Sequence, residues 1–212
     1  MCLKVRNVAK RYKVEEPLLE NVSFEINDGE RIAILGENGA GKTTFLKTIV
    51  GIIKPDKGEI LFNGIDIWED PNVKREIGYM GAEHFFYEKL TVRENLTLIS
   101  ALYGMHQINK KIEEFGLRLH ISDSLDKPIQ ELSSGMKRKV QIISAFMHEP
   151  NLVILDEPFN TLDIETTKTL TELMKNYKGA ILFTTHEIVY VREVANKVFK
   201  VDKGTLIAEN NL

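Results

Sequence analysis

The chain has 212 residues, 43% of them hydrophobic and 28% charged, with 28 Lys and Arg against 31 Asp and Glu for a net charge of −3. Those proportions exclude a disordered or fibrous chain, and the charge balance excludes broad nucleic-acid binding, which needs clustered positive charge. A single cysteine, Cys2, leaves no intrachain disulfide and fits a reducing compartment; Lys4, Arg6, Lys10 and Arg11 interrupt the first apolar stretches, so no signal peptide is expected, and no apolar run approaches the roughly 18 residues of a membrane span.

In chain order, Leu3 to Val8 and Val22 to Ile26 alternate apolar and polar residues, as half-buried strands do. Arg31 to Leu35 is a short β-branched run followed by Gly36 and reads as a buried strand. Glu59 to Phe62 and Ile77 to Met80 are further strands, and the turn signals Asn27-Asp28-Gly29 and Asn63-Gly64 make this early part look antiparallel. From about residue 84 to 150 no strand is expected. Thr91 to Tyr103 and Lys110 to Leu119 read as helices, and Ser133 to Met147 as a third. Leu152 to Leu155 and Ala180 to Phe183 are again continuous apolar strands, followed by Lys197 to Val201 and Thr205 to Ala208. Three such strands separated by helices imply a parallel sheet covered on both faces. The expected fold is α/β: one domain over 1–212, with a mainly parallel core sheet, an antiparallel β subdomain and a helical insertion at about 84–150.

The most specific local signal is Gly36-Glu37-Asn38-Gly39-Ala40-Gly41-Lys42-Thr43-Thr44, a Gly-x-x-x-x-Gly-Lys-Ser/Thr pattern between a buried strand and a helix. Glycines let successive N–H groups turn inward, and the following helix offers its positive end to an anion. Lys42 can reach the β- and γ-phosphates of a nucleotide, and the Thr43 hydroxyl can ligate Mg²⁺. The strand Leu152 to Leu155 ends in Asp156-Glu157. Ligands of open α/β sheets sit beyond the carboxyl ends of the strands, so Asp156 is expected to hold Mg²⁺ and Glu157 to accept a proton from the attacking water. The structural alternative is a solvated acidic turn before Pro158.

With the phosphate loop and acidic pair in place, further segments resemble the ATP-binding subunit of ABC transporters over nearly the whole chain, which implies a P-loop NTPase core of the RecA-like type. Leu132-Ser133-Ser134-Gly135-Met136 is similar to the family's signature loop, Asn160-Thr161-Leu162-Asp163 to its D-loop, and Thr184-Thr185-His186 to its switch-histidine region. Leu90 to Leu96 resembles the start of its helical subdomain, and Tyr12 stands where the family stacks an aromatic on adenine. The resemblance implies two copies, identical or different, packed head to tail around two ATP molecules, with Ser133, Ser134 and Gly135 of one facing the γ-phosphate on the other. His186 would position the attacking water near Glu157. The same residues have plainer readings: Ser133 as a helix cap, His186 as a helix-start residue, Tyr12 as packing.

The sequence departs from the family pattern in the signature loop, where Ser134 and Met136 replace Gly and Gln, and at Asn160, where Ser is frequent. Ala82 stands where the family has a Gln that contacts Mg²⁺ and the attacking water. The neighbouring Glu83 is a candidate to replace it at the metal, or else a surface acid. Trp68, Phe85, Phe86 and Tyr87 read as core packing, with Phe85 to Tyr87 alternatively meeting a membrane partner; Lys137, Arg138 and Lys139 read as a solvated helix face. His84, His106, His120 and His148 lack metal-ligand spacing. The resemblance implies a cytoplasmic ATPase, peripheral on the inner face of the membrane and bound to an integral membrane permease. No nucleic-acid partner is expected. The end at Leu212 leaves no room for a long regulatory domain, and Met136 to Val140 resembles ABC-2 exporters. The alternative is a soluble ABC ATPase such as those of iron–sulfur assembly.

Overall fold

The computed structural model describes residues 2–13, 16–37, 39–202 and 204–209; the side chains of 12, 13, 16 and 17 lie outside this description. Strand β1 (Leu3–Lys13) lies between β2 (Glu16–Ile26) and β4 (Lys57–Phe62), antiparallel to both, and β5 (Ile65–Asp66) closes this sheet in the order β2-β1-β4-β5. A second sheet holds β3 (Arg31–Leu35), β6 (Ile77–Met80), β7 (Leu152–Leu155), β8 (Ala180–Thr185), β9 (Lys197–Asp202) and β10 (Thr205–Ala208), in the order β10-β9-β3-β8-β7-β6. Every neighbouring pair in it is parallel except β10 with β9.

The continuous apolar runs follow from this sheet's position. Alternate residues of one strand face opposite sides. Ala33, Val153, Leu155, Ile181 and Phe183 enter one core, with helices α2 (Val92–Leu102), α3 (Asn109–Arg118), α4 (Ser134–Phe146), α5 (Ile164–Asn176) and α6 (Ile188–Val194) supplying much of the rest. Ile32, Ile34, Leu152, Ile154, Ala180 and Leu182 enter the other, against α1 (Lys42–Ile49) and the antiparallel sheet. Both faces are covered, so neither tolerates polar alternation.

One expected connection differs. Asn27-Asp28-Gly29 does not close an antiparallel pair but carries the chain from β2 into β3 of the other sheet. The physical reason lies in the strands themselves. Alternating β2 needs one buried face, whereas β3, apolar from Ile32 to Leu35, needs two. Asn63-Gly64 does close a hairpin, β4 to β5, with φ of +49° and +85°.

Helices α2, α3 and α4 lie between β6 and β7 in the chain. Thr91 starts α2 with a capping box: its hydroxyl accepts from the Glu94 N–H and the Glu94 carboxylate accepts from the Thr91 N–H. Buried Asn95 ties the preceding loop to this helix, its Oδ1 accepting from Tyr87 N–H at 2.8 Å and its Nδ2 donating to the carbonyls of Tyr87, Leu90 and Thr91. Phe85 and Tyr87 are exposed, so core packing does not describe them. Phe86 packs against the core, and Trp68 is half-buried.

Candidate functional site

The loop 36–41 joins β3 to α1. Gly41 takes φ of +96° immediately before the helix, where a side chain would be strained and a Cβ would lie 3.2 Å from the Leu18 carbonyl. Among the described residues no side chain caps α1, and no acid stands in its first turn, which suits its N-terminal N–H groups to an anion. Lys42 is 6% exposed; its Nζ donates to the carbonyls of Gly36 (2.6 Å) and Glu37 (3.2 Å) and lies 3.2 Å from Glu157 Oε1.

Asp156, at the end of β7, is buried and accepts hydrogen bonds on both oxygens, from Thr43 Oγ1 at 2.6 Å and Thr184 Oγ1 at 2.7 Å. The Thr184 hydroxyl also accepts from the Glu157 N–H at 2.9 Å. Glu157 has φ of +47°, a conformation uncommon outside glycine. Its Oε2 meets His186 Nδ1 at 3.1 Å, and His186 is half exposed. Lys42, Thr43, Asp156, Glu157 and His186 are thus brought together beyond the carboxyl ends of the adjacent strands β3, β8 and β7. A buried ammonium, a free helix N-terminus, paired oxygen donors and a carboxylate beside an imidazole can together hold a polyphosphate and deprotonate a water.

Ser133 N-caps α4, its hydroxyl accepting from the Met136 N–H at 3.3 Å. Ser133 and Ser134 are exposed, and a Cβ on Gly135 would lie 2.8 Å from the Thr161 carbonyl, so only glycine lets these two loops approach so closely. Among the described residues, no hydrogen bond or ion pair joins Ser133 to Gly135 with the loop 36–41. Asn38 and the Tyr12 side chain lie outside the described residues. Glu37 and Ala40 lie in the loop and Thr44 in the first turn of α1. The Glu83 side chain is exposed; its carbonyl, not its carboxylate, is engaged, accepting from Gln141 Nε2 at 3.0 Å.

Asp163 N-caps α5. It accepts from the Thr166 N–H at 2.8 Å and pairs with Lys139 Nζ at 2.9 Å, contacts that hold its pKa well below the usual carboxylate range, the Thr166 N–H contributing most. A carboxyl depressed in the fold contributes stability above its unfolded pKa of about 3.9 and loses it as pH falls through the folded value. Thermal unfolding of Asp163→Asn should therefore lie below wild type at pH 7, with the gap narrowing as the pH is lowered through 4 and below. A gap independent of pH would show that the carboxylate charge is not what stabilises α5.

The expectation of a solvated face for Lys137, Arg138 and Lys139 is corrected. Lys137 pairs with Glu88 at 3.0 Å, while Arg138 and Lys139 are 7% and 8% exposed. Arg138 Nη1 donates to the Gly81 carbonyl, and Nη2 to those of Asp156 and Glu157. The signal was present in the sequence. Arg138 shares helical spacing with Ile142 and Ala145, and Lys139 with Ile142, Ile143 and Phe146, all core residues. The bridging role of the Thr184 hydroxyl had no comparable signal.

Fold and site together define a nucleotide-hydrolysing α/β protein of the P-loop class. The family model described as ABC transporter matches residues 19–160, and the chain belongs to that family, as an ATPase domain. It is 35% identical over 196 residues to the ABC transporter ATP-binding protein NatA of Bacillus subtilis, an alignment covering 89% of this chain and 80% of that one. It is 36% identical over 209 residues to the molybdate/tungstate import ATP-binding protein WtpC of Methanocaldococcus jannaschii, covering 97% of this chain and 69% of that one. Among solved structures, an ATP-binding subunit of an ABC transporter superposes with a TM-score of 0.93 at 31% identity, covering 100% of this chain and 90% of that one. A dimeric post-hydrolysis state of an ATP-binding cassette bound to ADP and Pi gives 0.86 at 25% identity, covering 98% of both. No helix among the described residues is long and apolar enough to cross a membrane.

Proposed function

We propose that this chain is the ATP-hydrolysing motor of a transporter whose membrane-spanning part is a separate protein, lying at the cytoplasmic face and working as a head-to-tail pair with an identical or related copy. The observation that carries this reading is the separation of two half-sites. Lys42, Thr43, Asp156, Glu157 and His186 form one cluster, while Ser133 and Ser134 stand exposed at the start of α4 with no bond to the loop 36–41 among the described residues. A phosphate held in the first cluster has its outer side free for the second loop of another copy, so loss of that phosphate releases the pair.

Each residue has a defined task. Lys42, held in this structure by the Gly36 and Glu37 carbonyls and by Glu157, turns to the β- and γ-phosphates. Glu157, released from Lys42, accepts the proton of the attacking water, and His186 orients it. Ser133, Ser134 and Gly135 close over the partner copy's nucleotide, and Asp163 fixes the 160–163 loop beside them. Tyr12 stacks on adenine. Thr43 and Asp156, with their oxygens 2.6 Å apart, fit Mg²⁺, a hard cation that takes one or two protein oxygens and completes its shell with water and phosphate. When bound, it would neutralise phosphate charge. Glu83 is not included in this set, because its carboxylate is exposed.

Met136 to Val140 favours export, whereas WtpC is named an importer, so the proposal is confined to the motor and not its direction. The test is isolation of the tagged chain from detergent-solubilised membranes of its own host. A polytopic membrane protein should co-purify in fixed ratio, and its removal should change the ATPase rate. A chain found only in the soluble fraction, hydrolysing ATP at the same rate, would favour a non-transport ATPase instead.

A further inference from the structure

Arg138 occupies the point where three segments of the chain meet. Its Nη1 donates to the Gly81 carbonyl at 3.0 Å and to Gln141 Oε1 at 3.3 Å, and its Nη2 donates to the carbonyls of Asp156 and Glu157. Gln141, one turn further along α4, donates from Nε2 to the carbonyls of Gly81 (3.3 Å) and Glu83 (3.0 Å). The signature-loop helix thereby grips the loop after β6 and the end of β7 at once. The grip is through backbone carbonyls, and Ala82 between them has no side-chain donor or acceptor to offer.

The contact with Glu157 has a particular consequence. Glu157 sits at φ of +47°, which a non-glycine residue keeps only when its surroundings hold it there. Its N–H is held by Thr184 Oγ1 and its carbonyl by Arg138. Both peptide groups flanking the Glu157 Cα are therefore fixed, and with them the direction in which the carboxylate leaves the backbone. A guanidinium can do this because it is a rigid fork that reaches several acceptors in one plane, whereas a lysine ammonium is a single flexible point.

We infer that Arg138 is a positioning residue for Glu157, and that with Gln141 it relays the position of the 81–83 loop to that carboxylate. Movement of the loop shifts the Gly81 carbonyl, which shares the Arg138 guanidinium with the Asp156 and Glu157 carbonyls, and the Glu83 carbonyl, which reaches Arg138 through Gln141, so the general base is aimed or misaimed from a distance. The inference rests on the reading of Glu157 as the base.

The test is a cycle of variants measured for ATP affinity and for single-turnover hydrolysis of Mg-ATP. Arg138→Lys should lower the hydrolysis rate by about tenfold to a hundredfold, the cost expected of a misplaced reacting group, while ATP affinity stays within about threefold. In the Glu157→Gln background the same Arg138→Lys change should have little further effect, because it acts through the carboxylate already removed. Gln141→Leu, which removes the Gln141 bonds to the Gly81 and Glu83 carbonyls and one acceptor of Arg138 but leaves Arg138 on the Gly81 carbonyl, should give a smaller loss with the same non-additivity. If Arg138→Lys does not fold, Gln141→Leu carries the cycle alone. Equal losses in both backgrounds, affinity falling in parallel with rate, or unchanged rates would each overturn the inference. Failure of the base reading is separate: it would show as Glu157→Gln hydrolysing ATP normally.

Discussion

Replacing Lys42 with alanine is expected to abolish measurable ATP turnover, lowering kcat/KM by about a thousandfold or more, as removal of one preorganised charge donor at a transferring phosphoryl group does. The ammonium is 6% exposed and stands at the free N-terminus of α1, so its charge acts where water cannot screen it. Among the described residues, no other cation is bonded to the Gly36 or Glu37 carbonyl. The substitution also leaves Glu157 Oε1 buried without the cation 3.2 Å away, placing an uncompensated negative charge beside the incoming phosphates. Binding should weaken as well as turnover. Equilibrium binding of a fluorescent ATP analogue, with phosphate release measured alongside, checks both, and turnover within tenfold of wild type would remove Lys42 from the site.

Glu157→Gln should separate the two effects. Glutamine has the same size and keeps a hydrogen-bond partner for His186, but it cannot take up a proton, so hydrolysis should fall by roughly a hundredfold to ten-thousandfold, the usual contribution of a general base. ATP should still bind, and more tightly, because a carboxylate near the γ-phosphate is gone while Lys42 is no longer drawn to it. With hydrolysis blocked, the bridging phosphate persists and a stable dimer should accumulate with ATP, seen by size-exclusion chromatography with light scattering. A variant that remains monomeric at saturating Mg-ATP would count against the head-to-tail pair.

These two residues show how differently parts of the site could be read from sequence. Lys42 was legible because its neighbours repeat a local pattern: glycines that permit a turn, a lysine at its end and a helix behind it, all within nine residues. Glu157 was legible only together with that loop, since an acidic pair at the end of an apolar strand taken alone reads better as a solvated turn. The strands themselves were equally plain, since β3, β7 and β8 must be apolar on both sides to be buried. The antiparallel assignment of Asn27 to Gly29 misread a turn whose sequence says only that the chain bends, not which sheet it bends into.

Arg138 shows the opposite case. Three consecutive cations resemble a solvated surface, and solvent exposure is the ordinary fate of such residues. What buries Arg138 is a set of four acceptors, contributed by the end of β6, the end of β7 and Gln141. Their meeting is a property of the α4 packing rather than of neighbouring residues.

The sequence by itself determined which segments are buried, where an anion can be held and which two acids stand at a strand end, because periodicity and short motifs act over a few residues. Only the tertiary structure decided that Thr43 and Thr184 share Asp156, that Lys42 meets Glu157, and that Arg138 holds the Asp156 and Glu157 carbonyls. Those contacts join residues 18 to 115 positions apart. They depend on strand order and on the packing of α4, which local chemistry permits but does not specify.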